Sequence, residues 1–147
     1  MIELTRKLVL CESPSDTKSA VDACVALAMD AVRTRGCRVK LHRQREYGNI
    51  LEARFGPRKR KGAKPVLLLG HLDTVWPVGT LQSMPCRTAD GRLWGPGTLD
   101  MKAGVAMALM AIELLAEAEL LQREIILLLN SDEEIGSPVS RPLTESL

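Results

Sequence analysis

The chain has 147 residues, 46% of them hydrophobic and 26% charged, with a formal net charge of +2. That length suits one ordinary domain with a real core, the balance excludes a disordered chain, and the small net charge excludes a global field for nucleic acid or acidic membrane. Only Tyr47, Phe55, Trp76 and Trp94 are aromatic, too few for a base-stacking platform, and no run reaches the roughly 18 continuous apolar residues of a membrane span.

A short helix is expected over Ile2–Leu10, broken by Ser13-Pro14-Ser15-Asp16, which also supplies N-cap candidates for the next helix. From about Thr17 to Arg35, Val21, Cys24, Val25, Leu27, Ala28 and Val32 form a helical stripe, with Gly36 as its stop. Val39–Arg43 alternates like a strand with one wet face, and Asn49–Phe55 reads as a second strand, both toward a sheet edge. The basic run Arg58-Lys59-Arg60-Lys61, between Gly56-Pro57 and Gly62, reads as a solvated loop.

Pro65–Gly70 is apolar on both faces, as expected of a central strand covered by helices, and Ile125–Leu129 repeats the pattern. Between them come two short strands, Cys86–Thr88 and Arg92–Trp94, joined by the Asp90-Gly91 hairpin signal. Lys102 to about Ala118 is a helix apolar nearly all round, hence expected to be mostly buried. A helix linking two buried strands is a βαβ unit. The cysteines Cys11, Cys24, Cys37 and Cys86 include no Cys-x-x-Cys pair, which argues against a zinc knuckle or thioredoxin-like motif. Met1–Lys7 lacks the order of a signal peptide, so with free thiols the expected compartment is cytoplasmic.

Three clusters carry the chemistry, each at a strand end or helix start, where open α/β sheets place their sites. His71 follows the first buried strand, and Asp73, two residues on, can take the imidazole's second N–H and fix its tautomer. A solvent-exposed strand-end histidine is the plainer alternative. Asp100 follows Gly95-Pro96-Gly97 and precedes a helix, so it either caps the helix or bridges two cations with its two oxygens. Lys102 either orients nearby carboxylates or is a partly solvated side chain at the helix start. Asp132, Glu133 and Glu134 are costly neighbours unless solvated or matched by cations. Either they form an acidic surface loop, or one glutamate binds metal while the other moves a proton. A phosphate loop is a poor reading of Gly95-Pro96-Gly97: Pro96 lacks a donor, Asp100 would repel an anion, and no Gly-Lys-Ser/Thr follows.

Taken together, His71-Leu72-Asp73-Thr74-Val75, Gly95-Pro96-Gly97-Thr98-Leu99-Asp100-Met101-Lys102-Ala103-Gly104 and Asn130-Ser131-Asp132-Glu133-Glu134-Ile135-Gly136-Ser137 resemble the dizinc exopeptidase family. That family includes glutamate carboxypeptidase, acetylornithine deacetylase and succinyl-diaminopimelate desuccinylase. Glu12-Ser13-Pro14-Ser15 joins the match, and Gly79-Thr80-Leu81 draws it toward the glutamate carboxypeptidase branch; Ala103, where many relatives have glycine, is a mild departure.

The resemblance implies an α/β fold with a three-layer, mostly parallel sheet and helices on both faces, incomplete in this chain. It implies zinc, two ions per complete site, with cobalt or manganese as alternatives. By the same resemblance His71 binds one zinc, Asp100 bridges both, Glu134 binds the second, Glu133 is the general base and acid, and Asp73 supports His71. The peptide bond after Asp100 is expected to be cis. The implied substrate is a small peptide or N-acyl amino acid, with release of a C-terminal amino acid such as glutamate; N-acyl amino acid deacylation and an inactive fragment are the rival readings. Nucleic acid and membrane are not expected partners. The family's two further ligands cannot be assigned here, and its smaller domain, used for dimerisation, finds no room. Residues 1–147 are therefore expected to be the N-terminal part of a catalytic domain, with weak zinc binding on their own and a homodimer for a full-length form.

Overall fold

The structure, a computed structural model, describes residues 1–57 and 63–147. The basic run at Arg58–Lys61 lies outside the described residues. In chain order the elements are α1 (Ile2–Leu10), α2 (Lys18–Arg33), β1 (Arg38–His42), β2 (Ile50–Phe55), β3 (Val66–His71), β4 (Arg87–Ala89), β5 (Arg92–Trp94), α3 (Ala103–Glu117), β6 (Ile125–Asn130) and α4 (Arg141–Glu145). Strands β1, β2, β6 and β3 form one sheet in that order, and β4 and β5 a separate hairpin.

The α/β class holds, and the sheet is mixed rather than mostly parallel. β3 and β6 run parallel, Val66 opposite Ile125 through His71 opposite Asn130, because α3 carries the chain back between them. β1 and β2 are antiparallel, since the connection 43–49 is too short for a crossover. β2 then pairs antiparallel with β6, Leu51 opposite Leu129.

Helical spacing decides the core. Val21, Cys24, Val25, Ala28 and Val32 of α2 and Val105, Leu109 and Ile112 of α3 are buried in one cluster with Leu51, Ala53 and Phe55 of β2 and Ile125, Leu127 and Leu129 of β6. Alternate residues of the two strands point to one face, so α2 and α3 share that face instead of covering both. On the opposite face Glu52 is buried and accepts hydrogen bonds from Arg54 and His42, while Glu124 accepts from Arg38 and Arg54.

Two burial expectations change. β6 is buried throughout, but β3 pairs only with β6 among the described residues and is an edge strand, with Leu69 51% exposed. Likewise α3 buries one stripe and leaves Met107 and Leu114 outward, Leu114 at 56% exposure. A both-faces-apolar pattern promises burial only where neighbours cover both faces and both edges, as they do for β6 and not for β3.

Candidate metal centre

Parallel pairing of β3 with β6 brings the residues after His71 and after Asn130 out at the same sheet edge. His71 is buried, and its Nδ1 donates to the Asp73 backbone carbonyl at 3.0 Å, with the Asp73 Oδ1 at 3.5 Å. A carbonyl can only accept, so the Nδ1 proton is fixed and Nε2 faces the cleft. There Nε2 lies 3.1 Å from Asp100 Oδ1 and 3.9 Å from Glu133 Oε2. Burial lowers the imidazole pKa, but the Asp73 and Asp100 carboxylates outweigh it and raise it to about 9.

Asp73 is fully buried. Its Oδ2 accepts from Ser15 Oγ at 2.7 Å and from the Glu134 backbone N–H at 3.1 Å. Burial works against its charge, yet His71, Ser15 and the Glu134 amide together hold its carboxyl below the usual range. One carboxylate thus links three segments: it steadies the imidazole, receives the N-terminal strap and pins the start of the acidic turn Glu133–Ile135.

Asp100 stands on a kink. Thr98–Lys102 loses helical φ/ψ at Asp100 and Met101, and the bond between those two residues is cis, in line with the resemblance. Gly97 precedes it at φ +67°, and a Cβ there would lie 2.7 Å from Thr74 Cγ2. The Asp100 carboxylate is consequently presented to solvent, its side chain 75% exposed.

The structure brings one ligand atom each from His71, Asp100 and Glu134 within 4.8 Å of one another. This donor set fits a divalent cation. Burial raises the Glu134 carboxyl above its usual value, and Asp100, Glu133 and Asp73 raise it further against His71. A cation among these oxygens would remove that penalty. Glu133 stays half-exposed beside the group. The third acid is not part of it: Asp132 is buried, and its Oδ2 accepts from the Val139 and Ser140 backbone N–H groups at 2.7 and 3.1 Å. It is a loop anchor that the acidic run concealed.

Lys102 also differs from the sequence reading. It is neither solvated nor aimed at carboxylates. Its Nζ is buried and donates to Leu8 O, Cys11 O and Ser13 Oγ at 2.9, 2.7 and 2.8 Å, satisfying all three protons. Desolvation lowers its pKa. Ser13 Oγ passes the link on to Leu72 O at 2.7 Å, and Ser13 O accepts from Thr74 N–H at 2.9 Å. Glu12 accepts from the Gly79 and Leu81 amides at 2.8 and 2.9 Å. Glu12, Ser13 and Ser15 therefore brace the loop that carries His71 and Asp73. Their motif was visible in the sequence; their partners, about sixty residues away, were not.

Fold and site define an α/β protein with a candidate metal centre at the carboxyl edge of a βαβ unit. It superposes on human carnosine dipeptidase 1 with a TM-score of 0.80 over 99% of this chain and 34% of that one, at 22% identity. An M20 family metallo-carboxypeptidase from Sulfolobus solfataricus superposes with a TM-score of 0.77 over 92% of this chain and 31% of that one, also at 22% identity. Residues 67–147 match the Peptidase family M20/M25/M40, and the chain belongs to that family. It is 40% identical over 91 residues to Carboxypeptidase G2 of Pseudomonas sp. (strain RS-16), 61% of this chain and 22% of that protein. It is 33% identical over 135 residues to succinyl-diaminopimelate desuccinylase of Corynebacterium glutamicum, 92% of this chain and 34% of that protein. The chain thus spans from about a fifth to about a third of these two relatives. No helix among the described residues is long and apolar enough to cross a membrane.

Proposed function

We propose that this chain carries the metal-binding half-site of a hydrolase that cleaves a peptide or N-acyl amide bond and releases a C-terminal amino acid, glutamate among the candidates. The observation that carries the reading is the convergence of His71, Asp100 and Glu134 within 4.8 Å of one another, with Glu133 at 3.9 Å from the same imidazole nitrogen. His71 offers Nε2 because Nδ1 is committed to the Asp73 carbonyl. Asp100, with two oxygens, and Glu134 would hold the ions with His71, Asp100 shared between two of them and Glu134 assigned to the second. Bound zinc, or cobalt or manganese in its place, supplies Lewis acidity that makes water a nucleophile near neutral pH and polarises the scissile carbonyl.

Glu133 is left for the proton work. It is half-exposed, adjacent to the ligand group, and its carboxylate makes no hydrogen bond to another described residue, so that carboxylate is free to take a proton from the attacking water. It then returns that proton to the departing amine. Further ligands and the residues that grip the substrate would come from the part of such proteins that this chain does not span.

The test uses the protein carrying this chain, loaded with zinc and offered N-acyl amino acids and dipeptides. Glu133→Gln is expected to lower kcat at least 100-fold while metal content is kept; Glu134→Ala is expected to lose metal. Metal lost from the first variant and kept in the second would show the two roles reversed. Turnover that survives exhaustive chelation would refute the reading.

The deacylase alternative has its own support in the desuccinylase similarity, which extends over 92% of this chain. Both reactions break an amide through the same groups, and a substrate panel separates them.

A further inference from the structure

The metal centre leaves the four thiols of the chain unused, and two of them meet. Cys11 caps the C-terminal end of α1, and Cys24 belongs to the buried stripe of α2. Cys24 is fully buried, while Cys11 is half-buried and packs against the same core cluster. There the Cys24 thiol acts as donor toward the Cys11 sulfur. Cys37 is differently placed: its thiol donates to the Val32 carbonyl at 3.1 Å, and burial pushes it up, as for an inert structural cysteine.

A buried ammonium lies alongside the pair. Lys102 Nζ donates to Cys11 O and Ser13 Oγ at 2.7 and 2.8 Å, and its positive charge acts on both sulfurs. The Cys24 donor, with Lys102 behind it, outweighs burial and holds the Cys11 thiol down to about 7. Cys24 moves the opposite way, raised by its donor role and by burial. Near neutral pH the two sulfurs are therefore unequal. Cys11 is about half thiolate and open on one side to small molecules, and Cys24 stays a protonated thiol held inside. An accessible thiolate with a second thiol beside it is the arrangement that small oxidants turn into a disulfide.

We propose that Cys11 and Cys24 are a redox-modification site, in which Cys11 reacts with a small peroxide and Cys24 closes a reversible disulfide between α1 and α2. In the first step the Cys11 sulfur attacks one peroxide oxygen. An S–O bond forms, the O–O bond breaks, and the departing hydroxide takes up the proton that left the Cys11 thiol, giving water. In the second step the Cys24 sulfur displaces hydroxide from the Cys11 sulfenic acid. The S–S bond forms, the S–O bond breaks, and hydroxide leaves as water with the Cys24 proton. The two sulfurs give up two electrons and the peroxide accepts them. A dithiol reductant reverses the change. Closing the bridge consumes the sulfenic acid before a second peroxide carries it to the irreversible sulfinic acid, at a residue whose carbonyl anchors Lys102. None of this depends on amide hydrolysis.

Peptide mapping tests the site directly, because trypsin cuts at Lys18, between the two cysteines, and leaves them on Leu8–Lys18 and Ser19–Arg33. The protein carrying this chain, folded and kept with a chelator, is treated with hydrogen peroxide, and its remaining thiols are blocked before digestion. The two peptides are expected to run joined, two hydrogens lighter than their sum, and to separate with dithiothreitol. In Cys24→Ala the sulfenic acid on Cys11 is expected to persist and to be captured by dimedone. In Cys11→Ala no bridge and no dimedone adduct are expected at Cys24. Limiting iodoacetamide at pH 7 is expected to label Cys11 about fivefold faster than Cys37. The map of the unmodified protein decides the matter even where a variant fails to fold. Cys11 and Cys24 both left as free thiols, a bridge from either one to a different cysteine, or Cys11 carried to the sulfinic acid with Cys24 intact overturns the proposal. Zinc binding and amide turnover are read separately on the reduced protein, so their absence would count against the hydrolase reading alone.

Discussion

Ser15 is the residue whose role is least obvious from its identity. Its hydroxyl donates to Asp73 Oδ2 inside a buried pocket, and Asp73 in turn lies against the His71 ring. Removing that donor leaves a buried carboxylate oxygen one partner short, which costs about 1–3 kcal/mol, and loosens the orientation of an imidazole meant to bind a cation. Ser15→Ala is therefore expected to weaken zinc binding about tenfold, as measured by competition with a chelating dye, with Ser15→Thr restoring most of it. Unchanged affinity in the alanine variant would mean that Asp73 holds His71 unaided. Position 15 was readable as part of a turn and as part of a family motif, but not as a brace. A hydroxyl after a proline announces a turn, and only the fold sets it against a strand end 58 residues away. Lys102 misled for a related reason. A cation at a helix start looks solvated by default, and the carbonyls that bury it belong to α1 and the residue just after it, some ninety residues earlier in the sequence.

At the scale of elements, legibility followed geometry. α1, α2, β6, the β4–β5 hairpin and the glycine turn before Asp100 are set by local spacing and positive-φ positions, so they could be read where they lie. The place of β3 could not, because a strand apolar on both faces looks alike at a sheet's centre and at its edge. The opposite face of β1 and β2 carries its own logic. Glu52 is buried between Arg54 and His42. Burial would raise its carboxyl, but those two partners prevail and hold it below the ordinary range. A carboxyl depressed on folding contributes stability that is present above its unfolded value, about 4.3, and is lost as pH falls through the lower folded value. Glu52→Gln leaves Arg54, itself partly exposed, without its closest anion. The expected cost at pH 7 is about 2 kcal/mol, below that of a fully buried pair. Urea unfolding of both forms checks this, and the difference between them should narrow as the solution is acidified past pH 4. A gap that stays constant into acid would show that the variant acts through packing and not through charge.

For the whole molecule, the apolar surface is unevenly distributed. The core between α2, α3 and the sheet is closed, while Met107 and Leu114 on α3 and Leu67 and Leu69 on β3 face outward. β3 adds an unpaired backbone edge among the described residues. An edge strand with exposed leucines is a template for association, and it carries no lysine or proline in Val66–His71 to discourage one. The 147-residue chain prepared by itself is accordingly expected to associate, with a mass in light scattering that rises with concentration above that of one copy. Leu69→Lys charges the β3 edge and Leu114→Lys the outer face of α3. If association runs through strand pairing, the first substitution restores the single-copy mass and the second does little; if it runs through the helix face, the order reverses. A chain that remains a single copy at high concentration would show that this surface is tolerated in water. The same experiment bears on the metal centre, because His71 ends β3. Pairing at that edge would stiffen the strand that positions the imidazole. Zinc affinity should then rise with concentration in the unmodified chain and lose that dependence in Leu69→Lys.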